Sequence, residues 1–286
     1  MKTRAGVLAA LLAAVSAAAW AQPARVEAVQ YPAWLERGGN SVPLAPGIEL
    51  QGADSVRTGT NARVLLRLGE GSSVKLGENA RFEVERIEQR GIFRAALNVI
   101  AGAFRFTTDA LAKRSHRDVT IKVRNITAGI RGTDVWGKST DERDLVCLLE
   151  GKVTVGAEGA APVTLDNPRD FYQKPRDGAP QVARVDEKQV EIWSRETEIE
   201  PAGPSARRGG EWRVVASRFE QRDNARALSR KLRAAGYPAQ IVSDSGVFLV
   251  QVGGIEGEAQ ARTLMANLRT IPGVTIPSVS RMGSPG

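Results

Sequence analysis

The side chains that could do chemistry are unevenly supplied. One histidine and one cysteine stand against 32 carboxylates. Zinc sites are built mainly from nitrogen and sulfur donors, so His116 and Cys147 alone are too few, and no metal or cofactor is implied. Cys147 lies in the apolar run Asp144-Leu-Val-Cys-Leu-Leu-Glu150, which reads as a strand burying a small hydrophobe without a disulfide partner. His116 lies in Lys113-Arg-Ser-His-Arg117, which reads as a solvated loop. No motif surrounds that imidazole, so a Ser–His–Asp or Cys–His nucleophile is not expected. Asp134 and Glu150 are conceivable as an acid–base pair, but no spacing separates them from the other carboxylates of a β-rich region. Arg131-Gly132-Thr133 reads as a tight turn whose buried arginine bonds carbonyls, in preference to a binding loop. The chemistry points away from an enzyme and towards binding.

The candidate binding residues are Arg213, Val215 and Ser217 on one short alternating run, with Leu249, Gln251 and Gly253 on another. They belong to a stretch that is written twice. Val214 matches Val250, Glu220 matches Glu256, and Leu228 and Leu232 match Leu264 and Leu268. Each copy is an alternating strand, a turn and an amphipathic run. Ala225, Leu228, Leu232 and Ala235 make one helical stripe; Ala261, Leu264, Leu268 and Ile271 make the second. Those stripes cover Trp212, Val214, Ala216, Phe248, Val250 and Val252. With two more strands, Ala239 to Ser243 and Val274 to Val279, the order is β-α-β-β-α-β. That gives a four-stranded antiparallel sheet with both helices on one face. Arg213, Val215, Ser217, Leu249 and Gln251 then line the uncovered face, a platform for an extended polymer.

Upstream, Gly47 to Pro180 is rich in strands. Ala62-Arg-Val-Leu-Leu-Arg-Leu68, Ser73-Val-Lys-Leu76 and Ala80-Arg-Phe-Glu-Val-Glu-Arg-Ile87 alternate between Gly and Asn turns, which argues an all-β sandwich, jelly roll or roll. Val185, Gln189, Ile192 and Trp193 share one face of a helix expected to pack back on it. Glu198 to Gly210, with Pro201, Pro204 and paired glycines, reads as a linker. At the other end, Lys2, Arg4, the apolar run Gly6 to Ala19 and Ala19-Trp20-Ala21 read as a signal peptide cleaved before Gln22. The run is too short for a comfortable membrane span, so no span is expected after cleavage. Cleavage removes Lys2 and Arg4 and lowers the net charge of +8 to +6. A basic protein attracts polyanions, but an exported one does not meet nucleic acid, and surface anions of the envelope take that place. The sequence divides into a signal peptide (1–21), lead-in (22–46), β domain with terminal helix (47–197), linker (198–210), α+β domain (211–280) and tail (281–286).

Two resemblances attach to these segments. Val56-Arg-Thr-Gly59, Leu66-Arg-Leu-Gly-Glu-Gly-Ser72, Val74-Lys-Leu-Gly-Glu-Asn79, Leu97-Asn-Val-Ile-Ala-Gly-Ala103, Thr127-Ala-Gly-Ile-Arg-Gly-Thr-Asp134 and Glu150-Gly-Lys-Val-Thr-Val155 resemble a FecR domain. The resemblance implies a β-rich periplasmic module, several of which relay signals to inner-membrane anti-sigma factors. Signalling members carry an N-terminal cytoplasmic domain and a spanning helix, so fold and compartment are what this chain is expected to share. Trp212-Arg-Val-Val-Ala-Ser-Arg-Phe219, Gly236-Tyr237 and Phe248-Leu-Val-Gln-Val-Gly-Gly-Ile255 resemble a SPOR (sporulation-related repeat) domain. That resemblance implies binding of peptidoglycan glycan strands stripped of peptides, and in many members delivery to the division septum. Val215 stands where the family places a glycan-facing Gln, and Gln251 holds the corresponding place in the second copy. The expectation is a non-enzymatic, periplasmic, peptidoglycan-binding protein. The alternative is a signalling partner of an anti-sigma-type regulator, with other envelope proteins reached through the FecR-like domain.

Overall fold

The computed structural model describes residues 24–90, 92–109 and 117–283. The signal-like segment and His116 lie outside the described residues. The first body contains β1 (Ala24–Gln30), β2 (Ala33–Arg37), β3 (Asn40–Pro43), β4 (Asp54–Thr58), β5 (Arg63–Leu68), β6 (Ser73–Leu76), β7 (Arg81–Arg90) and β8 (Ile92–Thr107). It continues with β9 (Arg117–Val123), β10 (Ile126–Ile130), β11 (Asp134–Ser139), β12 (Arg143–Glu150), β13 (Val153–Ala157), β14 (Val163–Leu165), β15 (Asp170–Pro175), β16 (Gln181–Arg184), α1 (Glu187–Arg195) and β17 (Ser205–Arg207). The second body is β18 (Trp212–Phe219), α2 (Arg222–Ala234), β19 (Gln240–Asp244), β20 (Val247–Ile255), α3 (Glu258–Leu268) and β21 (Ser278–Arg281).

Two sheets build the first body, and β8 belongs to both. One sheet runs β16-β15-β12-β11-β8-β6-β5-β1-β17, all antiparallel. The other runs β3-β2-β4-β7-β8-β9-β10-β13-β14, antiparallel except for the β8–β9 pair. The first part of β8, to Ala101, pairs with β7, and Gly102 to Thr107 pairs with β11. Gly102 marks the crossing. Its φ is +81°, and a Cβ there would come within 2.6 Å of the Ala80 Cα, so glycine alone fits. Inward side chains of both sheets, among them Val26, Leu66, Phe82, Leu97, Phe104 and Val155, form one buried cluster. This is the mostly-β sandwich that alternation and turns lead one to expect.

Two stretches expected to lie outside the domains contain strands. The lead-in holds β1, β2 and β3, and the linker holds β17. Proline and glycine read locally as breaks, yet these prolines flank strands or sit on the edge strand β3, where a missing N–H costs no ladder bond. The Arg131-Gly132-Thr133 turn is present, with φ +73° at Gly132, but Arg131 is exposed and not buried. The helix expected over 185–197 is α1, started by Asp186, whose side chain accepts from the Gln189 N–H at 2.8 Å. It covers the outer side of the first sheet through Trp193, stacked on Trp136 at 4.8 Å between centroids and 2° between planes. Cys147 is fully buried in that same small cluster, with Trp136, Leu145 and Ala103.

After α1 the chain is strapped to the sheet. Lys75 reaches Glu198 at 2.6 Å, Arg105 joins the same carboxylate at 3.3 Å, and Lys138 holds Glu196 at 2.7 Å. β17 then pairs with β1 on one side and meets Ile255 of β20 on the other. The second body is thereby hydrogen-bonded onto the edge of the first, and both share one hydrophobic cluster. α2 ends at the same junction: Trp34 donates its indole N–H to the Ala234 carbonyl at 3.0 Å. Gly236, at φ +86°, lies so close to the indole that a Cβ would sit 2.8 Å from it. Tyr31 and Tyr237 complete the contact, with ring centroids 6.0 Å apart.

Candidate functional site

The second body has the order β18-α2-β19-β20-α3-β21, and its strands lie side by side as β19-β20-β18-β21, all antiparallel. Both helices bury the stripes foreseen for them: Ala225, Leu228 and Leu232 from α2, and Ala261, Leu264 and Leu268 from α3. Val214, Val250 and Val252 beneath them have no exposed surface. The last strand starts later than the expected Val274 to Val279. Residues 272–277 wrap around the edge first, because Ser217 holds that loop: its hydroxyl donates to the Gly273 carbonyl at 3.0 Å and accepts from the Thr275 N–H at 3.0 Å.

The strand register decides which residues share the other face. In an antiparallel pair, directly opposed residues point to the same side. Val215 opposes Gln251, and Val242 of β19 opposes Leu249, so these belong together on the side away from the helices. Arg213 joins them. Its guanidinium donates to the Ser280 hydroxyl at 2.9 Å and reaches the Gln251 side-chain carbonyl at 3.5 Å, spanning three strands. Ser217 does not join them, which corrects its expected place. A β-bulge at Ala216 inserts one residue between Val215 and Ser217, reversing the alternation. Ser217 therefore opposes Val250 and is 1% exposed, while Arg218, exposed, opposes Leu249.

The face so built is a shallow platform. Val215 and Leu249 form its apolar floor at 3% and 5% exposure, low enough that a ligand meets chiefly the groups around them. Those groups are Arg213, Arg218, Gln240, Ser278 and Ser280, with Gln251, only 8% exposed, joined to Arg213: guanidinium, amide and hydroxyl donors with amide and hydroxyl acceptors. Nothing in the set is a general acid or a nucleophile with a base. The arrangement suits holding a hydroxyl-rich chain by hydrogen bonds over an apolar centre. Ser278 and Ser280 are not among the residues expected on this face, although the alternation Ser278-Val279-Ser280 carries the signal. Arg218 has no such signal, because only the bulge brings it there.

Elsewhere the imagined acid–base pair dissolves into structure. Asp134 is gripped by Arg105 at 2.9 and 2.7 Å. Cys147 is walled off by burial, which, with Asp170 nearby, pushes its thiol up to about 12. Among the described residues no helix is long and apolar enough to cross a membrane.

No curated protein is similar to the chain. Two crystal structures from Parabacteroides distasonis ATCC 8503, each of a protein provisionally named an anti-sigma factor, align with it. One has 16% identity and a TM-score of 0.41, covering 49% of this chain and 64% of that one. The other has 13% identity and a TM-score of 0.42, covering 76% and 91%. Family models match two segments, one within the first body and one over most of the second. The chain carries a FecR protein segment over residues 54–154, followed by a SPOR domain over residues 209–276.

Proposed function

We propose that this is an exported, non-catalytic protein of the cell envelope that binds peptidoglycan glycan strands on the open sheet face of its SPOR domain. The observation that carries the reading is the Arg213–Gln251–Ser280 group over Val215 and Leu249, in a segment matching a peptidoglycan-binding family. Sugar rings present hydroxyls for the polar rim and C–H faces for the centre. The FecR-type sandwich is the part held at the wall, and the periplasm is its compartment, with enrichment at the septum. The test uses the chain from residue 22 onward and purified sacculi, before and after an amidase removes the peptides. Sedimentation should rise after amidase treatment and fall in Arg213→Ala. Protein that stays in the supernatant in both cases overturns the reading.

The FecR match supports a second role for the sandwich, contact with an inner-membrane anti-sigma-type regulator. Crosslinking in cells tests it, and failure to recover any membrane regulator counts against it.

A further inference from the structure

The junction of the two bodies encloses a groove of about 1280 Å³. It lies on the helix side of the SPOR domain, away from the sheet face. Its walls mix ring and proline surface, Tyr31, Pro32, Pro201 and Tyr237, with neutral polar groups, Asn61 and Asn79 from the sandwich and Thr263, Asn267 and Thr270 from α3 and its exit. Trp34 and Arg57 also line it, and the same two residues line a second hollow of about 420 Å³, whose opposite wall is Arg230 and Arg233 of α2. Arg57 stacks 3.9 Å from the centre of the Trp34 ring and touches Glu36 at 3.3 Å. Arg230 and Arg233 are exposed and make no ion pair among the described residues.

Arg233 stands in the last turn of α2, with Arg230 just before it, and a basic side chain there ordinarily offsets the helix dipole and points into water. Here the Ala234 carbonyl is already taken by Trp34, and the two arginines line one hollow together with Arg57. Glu36 is already shared by Arg57 and Arg81, so Arg230 and Arg233 leave an excess of positive charge that a carboxylate would neutralise bidentately. The adjoining wall is of another kind. Asn and Thr side chains both donate and accept, as sugar hydroxyls do. Its volume exceeds the roughly 300–1,000 Å³ usual for a small-molecule site, so it suits an oligomer and not a lone anion. Glu200 lines only this larger part, which places the anionic substituent at the arginine end.

We propose that this groove is a second binding site, for an oligosaccharide bearing carboxylates, with its rings along the Asn–Thr wall and a carboxylate between Arg57, Arg230 and Arg233. Because its walls come from both bodies, a ligand there clamps them together.

The test is calorimetric titration of the chain from residue 22 onward, which retains every described residue. The probes are hexagalacturonate, a neutral galactose oligomer of equal length, and a hexaglutamate peptide. Hexagalacturonate should bind best, with affinity falling as salt screens the arginines. The double variant R230Q/R233Q should lose about tenfold in affinity, the equivalent of one charge-assisted contact. Asn267→Ala should weaken the acidic and neutral sugars alike. R230Q/R233Q should still sediment with amidase-treated sacculi, which separates failure of this site from failure of the sheet face. Hexaglutamate binding as tightly as hexagalacturonate would make this an acidic-protein site and overturn the saccharide. Equal binding of the neutral oligomer, or an unchanged double variant, would overturn the site itself.

Discussion

Val215 opposes Gln251 on the central strand pair, where the family pattern leads one to expect a second amide. At 3% exposure the valine offers a ligand little surface and no hydrogen bond. Val215→Gln should therefore strengthen binding to denuded glycan. One net hydrogen bond is worth about 0.5–1.5 kcal/mol, so the gain should be roughly two- to tenfold in a quantitative sacculus pull-down. Unchanged affinity would mean that position 215 does not meet the sugar. A second single residue sets a pH dependence. The Cys147 thiol rises from its ordinary 9.0 to about 12 on folding, because burial disfavours the thiolate and Asp170 repels it. The stability this contributes is complete below pH 9 and is lost as pH climbs towards 12, since the unfolded chain releases the proton first. Denaturant titrations from pH 8.5 upward should show the parent losing stability faster than Cys147→Ala, by up to about 1.4 kcal/mol per pH unit. Parallel profiles would show that the thiol ionises as easily folded as unfolded.

Among the elements, β8 carries the most consequence. It serves two sheets only because the chain turns at Gly102 against Ala80. Gly102→Ala combines a positive φ with a Cβ driven into backbone, and neither relaxes by a rotamer change. A loss of about 2 kcal/mol or more is expected in urea unfolding, beyond the roughly 1 kcal/mol of an ordinary strained substitution. α1 is held differently, by one ring. The helix has no fully buried residue, and its hold rests on Trp193 between Trp136 and Phe171. Trp193→Ala should free α1 while leaving the sandwich folded. Hydrogen exchange should then rise across 187–195 and stay unchanged in β11 and β12.

The molecule as a whole is joined more tightly than a tethered pair of domains. β17 bonds to β1 and touches β20, Trp34 caps α2, and one apolar cluster runs through both bodies. Two domains on a flexible spacer melt independently, whereas domains sharing a core melt together. A single calorimetric transition is expected for the chain from residue 22 onward. The isolated 211–283 segment should melt at a lower temperature than the whole, since it loses β17 and the Tyr31 contact. Two separated transitions in the intact chain would contradict the shared core. The same rigidity lets the junction groove present a fixed wall and a fixed cluster of arginines to a ligand.

The amino-acid sequence determined whatever depends on period and composition. Alternation fixed the β character of the sandwich, and the repeated apolar stripes of Ala225 to Leu232 and Ala261 to Leu268 fixed the β-α-β-β-α-β unit. The run around Cys147 announced its burial. Both family segments were legible because their motifs are local and occur in order. Tertiary structure decided what depends on partners distant in the chain. A bulge at Ala216 leaves the local composition untouched, so nothing in the residues said that Ser217 would turn inward and Arg218 outward. The stretch from Glu198 to Gly210 reads as a linker by its prolines and glycines, yet β1, Lys75 and Arg105 hold it, and each lies far away in sequence. The groove beside Trp34 exists only because those contacts set the two bodies against each other; its walls come from segments that no reading of neighbouring residues brings together.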